Sequence, residues 1–357
     1  FFPAVSIANA LREMDPNCDI LFVGALGRME MERVPQAGYK IVGLPVRGID
    51  RSHPWRNIKV MIDFVRSMWQ VRKIIREFRP DVGVGVGGYA SGAAMKVAAK
   101  MGVPILLQEQ NGFAGVTNKM LKNDAQKICV AYEGMERFFP ADKIIMTGKP
   151  VRQSLLNANI SKANAVKSFG LKPNVPTVLI IGGSLGARTI NESILAHLDE
   201  IHNSEVQFIW QTGKFYSEEI KQRMAEYVPV PNLHVTDFIA NMDHAYAAAD
   251  LVISRAGASS ISELCLLKKP SILVPSPNVA EDHQTKNALA LSTKDAALFV
   301  KDSEAKDSLI QLAIKTVADK ARLTSLGENA GKLAFTDSAN RIAEEVCKLA
   351  WEYVATK

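Results

Sequence analysis

Three small-residue segments stand where a strand-like run gives way to a helical one, and each carries groups suited to an anionic or hydroxylated ligand. In Gly182-Gly-Ser-Leu-Gly-Ala-Arg188, the glycines Gly182, Gly183 and Gly186 let backbone approach a ligand, and Ser184 adds a hydroxyl. With the free amides of the following helix they make an anion seat of the kind that holds phosphate. The segment lacks the Gly-Lys-Ser/Thr ending of a Walker loop and the G-x-G-x-x-G spacing of a dinucleotide fingerprint. The bland alternative is a tight turn with nothing bound. The second segment is Ser254-Arg-Ala-Gly-Ala-Ser-Ser-Ile-Ser-Glu263. A carboxylate at Glu263 would either complement the start of a helix or accept two hydrogen bonds from the vicinal hydroxyls of a ribose. In the third, Gly85-Val-Gly-Gly-Tyr-Ala-Ser-Gly92, the bland alternative is stronger, because small residues also allow close helix-to-sheet packing. Downstream, Glu281-Asp-His-Gln-Thr-Lys-Asn287 is a polar loop suited to sugar hydroxyls, and His283 beside Gln284 is the one histidine whose context suggests ligand contact.

These segments need strands to end on and helices to begin. Short β-rich runs supply the first: 19–24, 81–87, 103–107 and 127–132, then 177–182, 206–210, 233–235, 251–254, 271–274 and 297–300. Their uninterrupted apolar character suits strands buried on both faces, and alternation with helical patterns predicts parallel sheets covered by helices. A strand-like run ending in Gly148-Lys-Pro-Val-Arg152 marks a boundary, so the chain reads as two doubly wound α/β domains, 1–150 and 151–336. A last helix from Ser338 to Tyr353 carries Ile342, Val346, Leu349 and Ala350 on one face and needs a surface to cover.

Composition narrows the class. At 357 residues, 47% hydrophobic and 22% charged, the chain has room for two globular cores. The longest charge-free stretches, such as 82–95, are glycine-rich and shorter than the roughly 18 apolar residues of a membrane span. Four scattered cysteines make neither a disulfide framework nor a zinc knuckle, which suits the cytoplasm. A net charge of +6 is too dilute for nucleic-acid wrapping. It is concentrated, however: residues 47–79 hold nine basic side chains against three acidic ones. There Trp55, Ile58, Met61, Ile62, Val65, Met68, Trp69 and Ile75 fit one helical stripe, with Val60, Phe64 and Val71 outside it. Such a segment is either a core helix with a solvated basic face or an interfacial element meeting anionic lipid.

Together, 182–188, 255–263, His283-Gln284-x-x-Asn287-Ala288, Gly87-Gly-Tyr-x-Ser-Gly92 and Glu109-Gln-Asn-Gly112 resemble the motifs of the MurG family, in order and over essentially the whole chain. These are bacterial peptidoglycan transferases that add N-acetylglucosamine to lipid-linked N-acetylmuramoyl-pentapeptide. The resemblance implies a GT-B architecture, two Rossmann-like domains facing across a cleft, with helix 337–357 returning to the first. It implies inverting, metal-independent transfer, UDP-N-acetylglucosamine on the second domain and the undecaprenyl-diphosphate acceptor on the first. By position, Ser184 and the amides after Gly182 would hold the diphosphate with Arg152 nearby. Ile239 would meet uracil through its backbone, and Glu263 would take the ribose hydroxyls. Ala258, Ser259, Ser260, Ile261 and Ser262 would flank the diphosphate, and Gln284 with Asn111 would orient the sugar. An acceptor with such a tail places the enzyme at the cytoplasmic face of the inner membrane, held by Trp55, Arg56, Lys59, Phe64 and Arg66.

Two points bear on mechanism. No Asp-x-Asp occurs to hold a divalent metal, so no cofactor is expected and amides, a helix end and Arg must stabilise the leaving UDP. At about 1.5–3 kcal/mol per charged hydrogen bond, several could supply about half of the roughly 8 kcal/mol of a modest acceleration. The family opens with a strand and a Gly-Gly-Thr-Gly-Gly-His loop, proposed to carry the base, just before the residues matching Phe2-Pro3. The sequence starts after it, so the chain reads as truncated, with the donor site kept and activity weak or absent. Glu109 is the remaining carboxylate nominated near the acceptor. The competing readings are another UDP-sugar GT-B transferase, a non-catalytic nucleotide-sugar-binding module, and an oxidoreductase, which the missing dinucleotide fingerprint disfavours.

Overall fold

A computed structural model describes residues 2–46, 57–150, 159–183, 185–227, 229–279 and 282–357, with backbone alone for Asn57, Ile58, Lys59 and Met61. The chain divides into two compact units, Phe1–Val151 with Asp337–Lys357, and Arg152–Thr336.

In the first unit β1 (Leu21–Ala25) pairs in parallel with β2 (Lys40–Leu44). β3 (Gly83–Gly85), β4 (Ile105–Glu109), β5 (Lys127–Val130) and β6 (Ile144–Met146) form a second parallel sheet in sequential order. β2 was not among the apolar runs, because Gly43 and Pro45 shorten Lys40-Ile-Val-Gly-Leu44 to a scarcely strand-like pattern. The helix Ser338–Ala355 packs on the helix Phe2–Met14, and its Ile342, Val346 and Leu349 close over Ile7, Leu106 and Cys129.

The second unit holds one six-stranded parallel sheet built from β7 (Thr177–Ile181), β8 (Gln207–Gln211), β9 (Leu233–Thr236), β10 (Leu251–Ser254), β11 (Ser271–Leu273) and β12 (Leu298–Phe299). Their spatial order is β12-β11-β10-β7-β8-β9. Val178, Leu179 and Ile180, with Phe208, Ile209 and Trp210 beside them, are wholly buried, as strands covered on both faces require. Helices Arg188–Ala196 and Asp302–Ala318 pack against each other over one face.

One sequence expectation is corrected in the helix Asn57–Phe78. Phe64 and Val71, outside the predicted stripe, pack with Met68 into the core against Ala90, Ala93 and Ala94 of the helix Tyr89–Lys100. Ile62, Val65 and Trp69, inside the stripe, face outward at 49%, 49% and 72% exposure. This helix is apolar around most of its girth, so its own periodicity cannot choose a side. The small side chains of the neighbouring helix accept the Phe64–Val71 face at close range, which decides it. The buried Ser67 hydroxyl is satisfied locally by donating to the Asp63 carbonyl at 2.7 Å.

Candidate active site

In the second unit the chain runs β7, β8, β9 toward one edge, then returns to add β10, β11 and β12 on the other side of β7. The strand order thus reverses between β7 and β10, the point at which open α/β sheets receive ligands beyond their carboxyl ends. The register Ile181↔Ser254 brings those two ends level, so the segment after β7 and the segment after β10 emerge side by side.

The segment after β7 has little freedom to hold anything but glycine. A side chain on Gly182 would sit 2.6 Å from the Ala187 nitrogen. Gly183 and Gly186 have φ of +91° and +90°. Gly186 is pressed against the Thr212 carbonyl, and Gly213, at φ +82°, against Gly186 in return. The exits of β7 and β8 therefore touch backbone to backbone. Asn191, 3% exposed, braces the contact by donating to the Thr212 carbonyl at 2.9 Å and accepting from Trp210 Nε1 at 3.0 Å. Space beside Gly183 is open.

Two helices start here, Arg188–Ala196 and Ala258–Leu266, each nine residues long. Their N-caps, Ala187 and Gly257, offer no side-chain cap. Neither N-cap residue thus brings a capping oxygen of its own, and both helices turn the positive end of their dipole to the switch point. That is an arrangement for binding an anion.

Glu263 lies six residues into its helix, past the first turn, so its carboxylate does not serve the helix start. Tyr246, 2% exposed, donates its hydroxyl to Glu263 Oε2 at 2.9 Å and fixes the side chain's direction. Of the flanking segment, Ala258 and Ile261 are buried, Ser260 and Ser262 half-buried and Ser259 exposed. Ser262 turns its hydroxyl back to the Ala258 carbonyl at 2.9 Å. Gln284 accepts from the Ser276 N–H at 3.0 Å, and buried Asn287 donates to the Ala256 carbonyl at 3.2 Å, so the exits of β10 and β11 are pinned to the helix His283–Ser292. Arg255 closes the same corner. Its Nη1 donates to the carbonyls of Val274 and Pro275 at 3.1 and 3.0 Å and meets Asp302 Oδ1 at 2.5 Å, while Thr189 donates to Asp302 Oδ2 at 2.8 Å. Ile239 is 4% exposed and its N–H donates to Gln211 Oε1 at 2.9 Å.

In the first unit Glu109 ends β4 at 3% exposure. Its Oε1 accepts from the N–H groups of Gln110 and Asn111 at 3.0 and 3.1 Å and from Asn111 Nδ2 at 3.4 Å. Its Oε2 accepts from the Gly115 N–H and Asn118 Nδ2, both at 2.9 Å. A carboxylate with five N–H donors shapes the 110–115 turn and presents Asn111. Its lone pairs are thus engaged by groups of its own unit. Gly85 supports the packing reading of its segment: a side chain there would lie 2.9 Å from Leu107, Met95 and Ser91.

The structure thus gathers Gly182, Gly183, Gly186, Ala258 to Glu263 and Gln284 in one unit, and Glu109 with Asn111 in the other. Arg152, Ser184, Trp55 and Arg56 lie outside the described residues, as does the side chain of Lys59. Among the described residues no group of three or more His, Cys, Asp or Glu assembles as a metal site, and no helix is long and apolar enough to cross a membrane. The supporting residues Gln211, Tyr246, Asn191 and Asp302 were not singled out in the sequence. Gln211 alone carried a signal, as a polar residue closing an apolar strand.

Residues 1–130 match the N-terminal domain of glycosyltransferase family 28 and residues 177–342 its C-terminal domain. A Bacteroides fragilis protein is 62% identical over 98% of this chain and 92% of its own length, and one from Porphyromonas gingivalis is 54% identical over 98% and 92%. Both are named UDP-N-acetylglucosamine–N-acetylmuramyl-(pentapeptide) pyrophosphoryl-undecaprenol N-acetylglucosamine transferase. Among solved structures, Acinetobacter baumannii MurG aligns with a TM-score of 0.76 at 24% identity, covering 97% of this chain and 95% of that one. A Neisseria meningitidis UDP-GlcNAc 2-epimerase bound to UDP-GlcNAc aligns at 0.68 and 14% identity, covering 97% and 96%. These two likenesses speak for the fold: two Rossmann-like units of GT-B type.

Proposed function

The chain belongs to glycosyltransferase family 28, and from that premise we propose that it transfers N-acetylglucosamine from UDP-N-acetylglucosamine to undecaprenyl-diphosphate-linked N-acetylmuramoyl-pentapeptide in peptidoglycan synthesis. The observation that carries the reading is 62% identity, over nearly the whole length of both chains, to a relative bearing that transferase's name. The second unit then supplies the donor site. The diphosphate lies against Gly182, Gly183 and Gly186, beneath the starts of helices Arg188–Ala196 and Ala258–Leu266; the roles of Ser184 and of Arg152 as a second positive group rest on the family resemblance alone. Charge that develops on the departing UDP is met by N–H groups already pointed at it, which costs no reorganisation as the bond breaks. Glu263, aimed by Tyr246, accepts from the ribose hydroxyls, and the backbone of Ile239 meets uracil. Gln284 orients the sugar.

The acceptor's lipid tail calls for a place at the cytoplasmic face of the inner membrane. Supporting that reading on the helix Asn57–Phe78 are the outward Ile62, Val65 and Trp69 beside exposed Arg66, Arg72, Lys73 and Arg76. Trp55, Arg56 and the side chain of Lys59, expected to share that role, lie outside the described residues. Phe64 has no part in it, being packed inward. Each such cation contributes about 1 kcal/mol near anionic lipid.

The test is release of UDP from UDP-N-acetylglucosamine in the presence of the lipid-linked acceptor, with calorimetry on UDP, UDP-N-acetylglucosamine and NADH alongside. Uridine-nucleotide binding that Glu263→Ala weakens about tenfold or more is expected, together with UDP release that depends on the acceptor, however slow. Release that ignores the acceptor, or NADH binding in place of UDP, overturns the reading. For the membrane, sedimentation with phosphatidylglycerol vesicles is expected to fall with salt and with Trp69→Glu.

A further inference from the structure

Gln211 is the last residue of β8, in register with Ile181 on one neighbour and Thr236 on the other. Its side chain is 5% exposed and reaches beyond both neighbouring strands. Nε2 donates to the Gly183 carbonyl at 3.0 Å, and Oε1 accepts from the Ile239 N–H at 2.9 Å. The orientation of the amide is not ambiguous, since a backbone carbonyl can only accept and a backbone N–H can only donate. One planar group thus joins the glycine segment after β7 to the segment after β9.

We propose that Gln211 is a positioning residue that sets two properties of the nucleotide site together: the anion affinity of the Gly182–Gly186 segment and the choice of base at Ile239. The inference rests on the donor site proposed above.

The first property follows from where the Gly183 carbonyl is held. Gly183 has φ +91° with open space beside it, so nothing steric in its own residue prevents its peptide from turning. A carbonyl oxygen facing the ligand would repel a diphosphate. Two donors restrain it instead, the Gly186 N–H at 3.0 Å and Gln211 Nε2 at the same distance. The Gly186 bond belongs to the turn itself. The Gln211 bond comes from a buried strand end and ties the turn to the sheet.

The second property follows from what Gln211 takes from Ile239. Its N–H is committed to Oε1, so a base that meets this backbone meets the carbonyl. A carbonyl accepts from the N3–H of uracil. It opposes the lone pair that cytosine presents at the same position. Beside it, Phe238 is 41% exposed, an aromatic face of the kind on which any base stacks without discrimination, and Lys214 lies over that ring at 5.5 Å. Shape and stacking here are tolerant, and selectivity falls to the polarity that Gln211 enforces.

Two substitutions separate the two arms. Gln211→Glu still accepts from the Ile239 N–H but cannot donate to the Gly183 carbonyl. Gln211→Met keeps the volume and does neither. The readouts are two ratios of dissociation constants measured on the whole chain: CDP over UDP, for the base, and uridine over UDP, for the diphosphate. Wild type is expected to prefer UDP over CDP by about tenfold or more, the scale of one lost hydrogen bond and one unpaired acceptor. Gln211→Met should lower both ratios, the base ratio to about two, and Gln211→Glu should lower the diphosphate ratio while keeping the base ratio. General loosening of the unit would depress the melting temperature and all three affinities by a common factor, leaving both ratios in place. A Gln211→Met chain that keeps either ratio within about twofold of wild type overturns the inference. Wild type that binds none of the three ligands overturns the donor-site reading instead, so the two failures are distinguishable.

Discussion

Replacing Arg255 by Met should destabilise the second unit more than any surface substitution. The guanidinium side chain is 14% exposed and its partner Asp302 20%, so the pair is largely desolvated. Arg255→Met removes a cation from beside Asp302 and one donor from two carbonyls, of Val274 and Pro275, of which Val274 is wholly buried. Breaking a buried pair from one side costs about 3–5 kcal/mol, because the remaining charge stays buried without its partner. Two features pull the figure to the lower end. Some solvent reaches both groups, and Asp302 keeps the Thr189 hydroxyl and its place in the first turn of the helix Asp302–Ala318, where a negative charge is favoured by about 0.3–1 kcal/mol. About 3 kcal/mol is therefore expected, or a melting shift of about 6–12 °C for a domain of this size. Trp210 is the sole tryptophan of the second unit and is wholly buried, so with Trp55, Trp69 and Trp351 changed to Phe its fluorescence in urea reports that unit alone. Asp302→Asn in the same background should recover part of the loss, since it removes the stranded charge. A loss below about 1 kcal/mol for Arg255→Met, the range of exposed pairs, would refute the reasoning.

Tyr246→Phe removes the hydroxyl that holds Glu263 Oε2 and should weaken UDP binding about fivefold while 2′-deoxy-UDP binding changes little, as read by calorimetry. Gly186→Ala places a methyl group against the Thr212 carbonyl at φ +90°, so it should lower the melting temperature of the second unit and abolish detectable UDP binding, whereas Gly257→Ala, with open space around it, should be tolerated. Burial pushes the thiols of Cys129 and Cys265 up to about 12, leaving a thiolate fraction on the order of 10⁻⁴ at pH 8. In the native chain a disulfide reagent should then label Cys18 and Cys347, which are only half-buried, and reach the other two upon unfolding; four rapidly labelled thiols would contradict the packing around β5 and the helix Ala258–Leu266.

Much of this molecule is written locally. Strands such as Thr177-Val-Leu-Ile-Ile181 and Leu251-Val-Ile-Ser254 are continuous apolar runs that suit only an interior covered on both faces, so the α/β class and the parallel sheets were legible from the chain alone. The glycine segment was legible too, because its spacing answers to steric demands at Gly182 and Gly186 that no other residue meets. Tertiary structure decided what periodicity leaves open. A helix apolar on most of its girth, Asn57–Phe78, turned Phe64 and Val71 inward only because the helix Tyr89–Lys100 offers a bed of alanines. A carboxylate has the same composition whether or not it builds a turn, and only the five donors converging on Glu109 show that it does. The bonds of Gln211 to Gly183 and Ile239, and of Tyr246 to Glu263, join residues 17 to 28 positions apart through neighbouring strands and helices. Such pairings depend on register and strand order, which arise when the whole sheet closes and are carried by no single segment.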